Sequence, residues 1–168
     1  MSLERLNSLM PEDCISELMK CCGSRAWATR MIEERPFSSP TALNQAAERI
    51  WWSLSADEWL EAFRSHPKIG EKKAEKNSGE AAQKWSEQEQ ASVASAPHET
   101  LQSLAELNAE YQSRFGFIFI VCASGKSSDE MLSLLRARLE NEREKELRIA
   151  AAEQAKITGL RLEKLLRQ

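Results

Sequence analysis

The placement of proline constrains this chain most: five prolines, at 11, 36, 40, 67 and 97, punctuate 168 residues that hold only six glycines. Between these breaks apolar residues recur at helical spacing, and no Val/Ile/Thr-rich alternation competes with them. Pro11 to Cys22 sets Cys14, Ile15, Leu18, Met19 and Cys22 on one stripe, with Gly23 as a stop. Arg25 to Glu34 reads as a second helix, ended by Arg35-Pro36. Thr41 to Leu54 reads as a third, with Leu43, Ala46, Ala47, Ile50 and Trp51 as its buried stripe. Ser55 and Glu58 have the spacing of a capping box and open a helix carrying Trp59, Leu60 and Phe63. That helix must end near Ser65-His66, because the residue before Pro67 is pushed out of the α region.

Beyond Pro67 the pattern is interrupted twice. Gly70 to Gly79 is polar and charged, and is expected to form a loop. Ser86 and Glu89 again have capping-box spacing and are expected to open the next helix. Pro97 marks the start of a longer helix running to about Arg114. Residues 115–123, Phe-Gly-Phe-Ile-Phe-Ile-Val-Cys-Ala, form the most apolar stretch, too short for a typical helix and without a second strand to pair with. A buried extended segment threaded between helices is expected there. Helices then follow from Ser128 to Leu139 and from Glu144 to Leu166. The predicted fold is all-α: a single-domain helical bundle over residues 1–168, with about seven or eight helices and one short buried extended segment.

Composition narrows the partners. A net charge of −3, with basic residues interleaved among acids as in Glu140 to Glu146, leaves no electrostatic footprint for nucleic acid. No apolar run approaches the roughly 18 residues of a membrane span. The first residues lack the basic-then-apolar layout of a secretory signal, so a cytoplasmic location is expected. Cys14, Cys21, Cys22 and Cys122 do not form a C-x-x-C pair, and with only two histidines in the chain no metal-ligand spacing is present. Reduced, buried thiols are expected, and no metal. The five tryptophans, Trp27, Trp51, Trp52, Trp59 and Trp85, read as core or interface.

Taken singly, the candidate chemical residues have plain structural readings. His66 at a helix end suits the last carbonyls as well as it suits proton transfer near neutral pH. His98, in a polar stretch after Pro97, reads as a surface residue. Glu89 has a complete task as the third residue of the Ser86 box, and Arg161, between Leu160 and Leu162, reads as a side chain reaching outward to water.

Their order changes the reading. His66-Pro67-Lys68-Ile69-Gly70, then Ser86-Glu87-Gln88-Glu89-Gln90, then Asn108 through Phe119 with Tyr111 and Phe115-Gly116-Phe117, then a C-terminal helix holding Arg161, resembles one family. That family is the 2-oxo-4-hydroxy-4-carboxy-5-ureidoimidazoline (OHCU) decarboxylases of urate degradation. The resemblance runs from the Arg35-Pro36-Phe37 turn to Arg161. Each motif alone is loose; four in this order are specific.

The resemblance implies a cofactor-free enzyme that converts OHCU to (S)-allantoin and CO2, on an all-α and commonly homodimeric fold. It implies that His66 is the catalytic acid/base and Glu89 its acidic companion. Pro67 and the Ser86, Glu87, Gln88 and Gln90 positions would line the pocket. Phe119, Ile120, Val121, Cys122 and Ala123 would present backbone and side-chain groups to the ring. Arg161 would contact an anionic or carbonyl part of the substrate. Two other readings remain open at this point: a non-catalytic helical interaction domain, and an enzyme acting on another ureido or imidazole compound.

Overall fold

Serine and proline set most of the helix starts. The computed structural model describes residues 1–70 and 80–167, and among these it contains ten helices and no strand. They are α1 (Leu3–Ser8), α2 (Pro11–Cys21), α3 (Arg25–Glu33), α4 (Pro40–Trp52), α5 (Ala56–Phe63), α6 (Glu80–Glu89), α7 (Ala91–Ala94), α8 (His98–Phe115), α9 (Ser128–Leu139) and α10 (Arg143–Arg167). Ser2, Ser24 and Ser39 accept the N–H groups of Arg5, Trp27 and Ala42 at 3.2, 3.3 and 3.0 Å. Each so satisfies a donor that a helix start leaves unpaired. Pro11 and Pro40 stand at the first position of α2 and α4, where a missing N–H costs nothing. None of the described helices is long and apolar enough to cross a membrane.

The chain divides into two compact units, one of Met1–Ala62 with Ala155–Gln168, the other of Phe63–Gln154. In the first, the stripes read from the sequence are buried: Cys14, Ile15, Leu18 and Cys21 on α2, and Leu43, Ala46, Ala47, Ile50 and Trp51 on α4. Each large side chain buried this way contributes about 1.5–3 kcal/mol. The indole N–H groups of Trp27 and Trp59 reach the carbonyls of Ala47 and Trp51 at 3.0 and 2.9 Å, so their burial leaves no polar atom stranded. Arg35 crowns the C-terminal end of α1, where its Nη1 donates to Leu6, Asn7 and Leu9 carbonyls at 3.2, 3.3 and 2.8 Å. A cation suits the carbonyl-rich end of a helix.

The second unit is built around aromatic rings. Tyr111 of α8 lies 4.6, 5.8 and 5.4 Å from the rings of Phe115, Phe117 and Phe119, and Phe63 lies 5.7 Å from Phe117. The chain turns from α8 into this cluster at Gly116, whose φ of 79° is the left-handed conformation that glycine adopts without a steric penalty. Residues 117–123 are buried and belong to no helix. Ser127 and Glu130 then form the capping box that launches α9.

Three expectations need correction. Ser86 and Glu89 do not open a helix, because α6 is already running from Glu80 and both residues lie in its last turns. Inside a helix the N–H groups already bond four residues back, so no orphan donor remains for Ser86 to cap. Arg161 does not reach outward; it is 3% exposed. The helix count rises because the short α1 and α7 carry too few residues for a periodic pattern to declare itself. Of the expected Gly70–Gly79 loop, residues 71–79 lie outside the described residues.

Candidate functional site

His66 sits just past the end of α5, where its own N–H closes the turn onto the Phe63 carbonyl at 3.1 Å. Pro67 prevents that turn from continuing as helix. The side chain is buried, 7% exposed, so the imidazole is no surface cap. Two ties fix the residues that follow. Asn108 of α8 donates from Nδ2 to the Ile69 carbonyl at 3.2 Å, and the Gly70 N–H donates to Gln90 Oε1 at 3.0 Å. Gly70 has φ near 90°, a conformation glycine supplies. The turn bearing His66 is therefore anchored to α8 and to the end of α6. A cavity of about 220 Å³ flanks it, lined by Lys68, Ile69, Gly70, Leu101, Ala105, Asn108 and Ala109; neither His66 nor Glu89 borders it.

The five positions on α6 and just beyond it separate by helical phase. Ser86 is buried and Glu89 and Gln90 are half-buried, at the i, i+3 and i+4 positions of one face. Glu87 and Gln88 are exposed, on the opposite side. The structure thus groups Ser86, Glu89 and Gln90 and leaves the other two facing water.

Phe119, Ile120, Val121, Cys122 and Ala123 are all buried, between 2 and 7% exposed. A buried backbone outside a helix must find its partners elsewhere, and here side chains provide them. Arg138 Nη1 donates to the Ile120 carbonyl at 2.6 Å, the Cys122 N–H donates to Glu153 at 2.8 Å, and Lys126 Nζ donates to the Cys122 carbonyl at 2.7 Å. Ser92, in α7, holds the Lys126 carbonyl at 2.7 Å. Burial pushes the Cys122 thiol up, Lys126 opposes the rise, and the charges of Glu153 and Glu89 add to it. The thiol is thus kept from acting as a thiolate at neutral pH.

Beneath the segment lies a polar cluster that the sequence did not announce. Arg138 Nε binds Glu146 at 2.6 Å, Tyr111 donates its hydroxyl to the same carboxylate, and Asn141 Nδ2 donates to its other oxygen at 2.8 Å. A signal was present. Met131, Leu135 and Arg138 share one helical stripe, as do Glu146 and Ala150, so these charges stand in line with core positions. Arg161 belongs to the first unit, where its Nη1 donates to the Lys20 carbonyl at 3.3 Å near the end of α2. Burial pushes the Cys21 and Cys22 thiols up, Cys22 to about 12, and the Arg161 charge opposes the rise at both, after hydrogen bonds from Ser24 and Thr158 at Cys22. Among the described residues no group of three or more His, Cys, Asp or Glu is placed to hold a metal ion.

The family model of OHCU decarboxylase matches residues 7–163. This chain belongs to the OHCU decarboxylase family. The match runs through both units and takes in every expected site residue. Among relatives of the family, the uric acid degradation bifunctional protein TTL of Arabidopsis thaliana is 42% identical over 146 residues, which cover 86% of this chain and 45% of that protein. The chain therefore spans about half the length of that relative. The 2-oxo-4-hydroxy-4-carboxy-5-ureidoimidazoline decarboxylase of Halalkalicoccus jeotgali is 31% identical over 171 residues, 98% of this chain and 92% of that one. A crystal structure of an OHCU decarboxylase in the presence of (S)-allantoin superposes with a TM-score of 0.77 at 40% identity, over 91% of this chain and 99% of that one. The all-α expectation is met by that likeness.

Proposed function

We propose that this protein catalyses the cofactor-free decarboxylation of OHCU to (S)-allantoin and CO2 in urate degradation. The observation that carries the reading is His66: a buried imidazole on a turn anchored at Ile69 and Gly70, in the motif position that the family resemblance makes catalytic.

Decarboxylation needs somewhere for the electron pair of the breaking C–C bond to go. OHCU carries its own sink, a C=N bond adjacent to the carbon that bears the carboxylate and hydroxyl. Loss of CO2 forms a C=C bond in the ring and moves the C=N pair onto that nitrogen, which takes up a proton from solvent, and so leaves an enol. The hydroxyl then gives up its proton to become a carbonyl, and the ring carbon bearing the ureido group takes one on a single face. His66 serves as the group that moves this proton near neutral pH. Glu89 orients the imidazole or holds the ureido N–H groups. Pro67, Ser86 and Gln90 shape the pocket, with Phe119 to Ala123 against the ring. Glu87 and Gln88, being exposed, fit a supporting part at the rim. Arg161 is assigned to an anionic or carbonyl part of the substrate on the resemblance alone. Exclusion of water around the carboxylate would favour its loss.

The same reading takes the protein to be a cytoplasmic homodimer, which sedimentation equilibrium would check as a mass of twice 19.0 kDa. The activity is tested by generating OHCU from urate with urate oxidase and the hydrolase, then following (S)-allantoin by circular dichroism with this protein present or omitted. The expected result is rapid appearance of the (S) enantiomer without added cofactor. Allantoin forming at the same rate and as a racemate in both arms would contradict the reading.

A further inference from the structure

We propose that Arg138 is a positioning residue for this reaction, one that turns the Ile120–Val121 peptide so that its N–H faces the substrate. The proposal rests on the reading of residues 119–123 as a wall of the site.

Arg138 lies in the last turn of α9, and its guanidinium does two things to the segment. Nη1 holds the Ile120 carbonyl at 2.6 Å, and the cation stands 4.5 Å from the centre of the Phe119 ring. Its own direction is set on two sides, by Glu146 at Nε (2.6 Å) and by the Tyr111 hydroxyl at Nη2 (3.3 Å). A planar fork held in this way aims its remaining N–H along one line, which a flexible ammonium does not do. The Ile120–Val121 peptide is trans, so its carbonyl and N–H point in opposite directions. Drawing the carbonyl toward Arg138 therefore sends the Val121 N–H the other way.

Stability alone gives a poor account of this arrangement. The pair is 8% and 0% exposed, and at such depth the cost of removing both charges from water offsets most of their attraction. A buried pair that adds little net stability but fixes one peptide plane suits a part in orientation.

The test uses two full-length variants. Arg138→Met with Glu146→Gln removes both charges together, keeps an amide oxygen as acceptor for Tyr111, and sets its NH2 where Asn141 can accept by turning its own amide; Arg138→Lys keeps the charge and loses the fork. Both are expected to keep the wild-type helical circular-dichroism spectrum. Both should lose at least tenfold in kcat/KM for OHCU, with (S)-allantoin binding weakened by a similar factor, and the lysine variant should be the less impaired. Wild-type kcat/KM within twofold in either folded variant overturns the proposal, and so does loss of fold in both, which would make the residue purely structural. If the wild-type protein itself leaves OHCU unchanged, the proposed function fails instead. Arg138 is then judged by NMR, through the Ile120 carbonyl and Val121 amide shifts of the lysine variant: displaced shifts support the positioning role, and unmoved shifts overturn it.

Discussion

Burial settles what single side chains in this protein are able to do. All four cysteines are buried and free, and burial pushes each thiol up. Alkylation of the native protein at pH 8 is therefore expected to leave all four unmodified, while the unfolded chain takes four labels by mass spectrometry; rapid labelling of native Cys122 would contradict this. The residues assigned to chemistry could be picked out only through the order of the motifs, since a histidine before proline and a glutamate in a helix each have a plain structural reading on their own. Arg138, Glu146 and Glu153 were not legible in the same way. A charge on a helix defaults to the water-facing side, and only its phase against Met131, Leu135 and Ala150 betrays it.

At the scale of elements, two capping boxes were read from spacing, and one of them caps a helix, whereas the caps at Ser2, Ser24, Ser39 and Ser127 emerged only from the structure. Ser55 with Glu58 is the one that does, its two bonds measuring 2.7 and 3.4 Å. The same spacing at Ser86 misled, because motif spacing carries no information on whether the chain is already helical upstream. Both box carboxylates, Glu58 and Glu130, are held below the ordinary value of 4.5, first of all by the backbone N–H groups of Ser55 and Ser127. A depressed carboxylate contributes stability that is present above its unfolded value and is lost as pH falls through its folded one. The melting temperature should thus decline as pH drops below about 4.5, and Glu130→Gln should decline less steeply over that window; parallel curves would contradict the assignment. A second element-scale prediction concerns the tie beneath His66. Asn108→Ala leaves the Ile69 carbonyl without its donor, which should cost about 1–3 kcal/mol, or roughly 2–10 °C in melting temperature for a chain of this size. It should also lower kcat/KM by loosening the turn; unchanged kinetics would detach that turn from the chemistry.

For the whole molecule, the all-α class was legible from punctuation and periodicity alone, since no stretch offers strand alternation to compete. Residues 117–123 were legible as buried and non-helical, but not the side chains that satisfy them, which come from 4 to 31 positions away in sequence. Helix number was harder, because α7 is four residues long. If the site is formed by the native fold, a product-like ligand must stabilise that fold by mass action. (S)-allantoin at a hundredfold excess over its dissociation constant should add about 2.7 kcal/mol, read as a rise in melting temperature. No rise at saturating allantoin would count against a product-binding site.

The proposed role of His66 is to move the proton that makes one enantiomer of allantoin. It is tested most directly by comparing the enantiomeric ratio and rate of allantoin formed from fresh OHCU by the wild-type protein and by His66→Asn. Nearly pure (S)-allantoin is expected from the wild type, and from the variant a rate lower by about 10²–10⁴ with a product approaching the racemate. A His66→Asn protein that is as fast and as enantioselective as the wild type would contradict it.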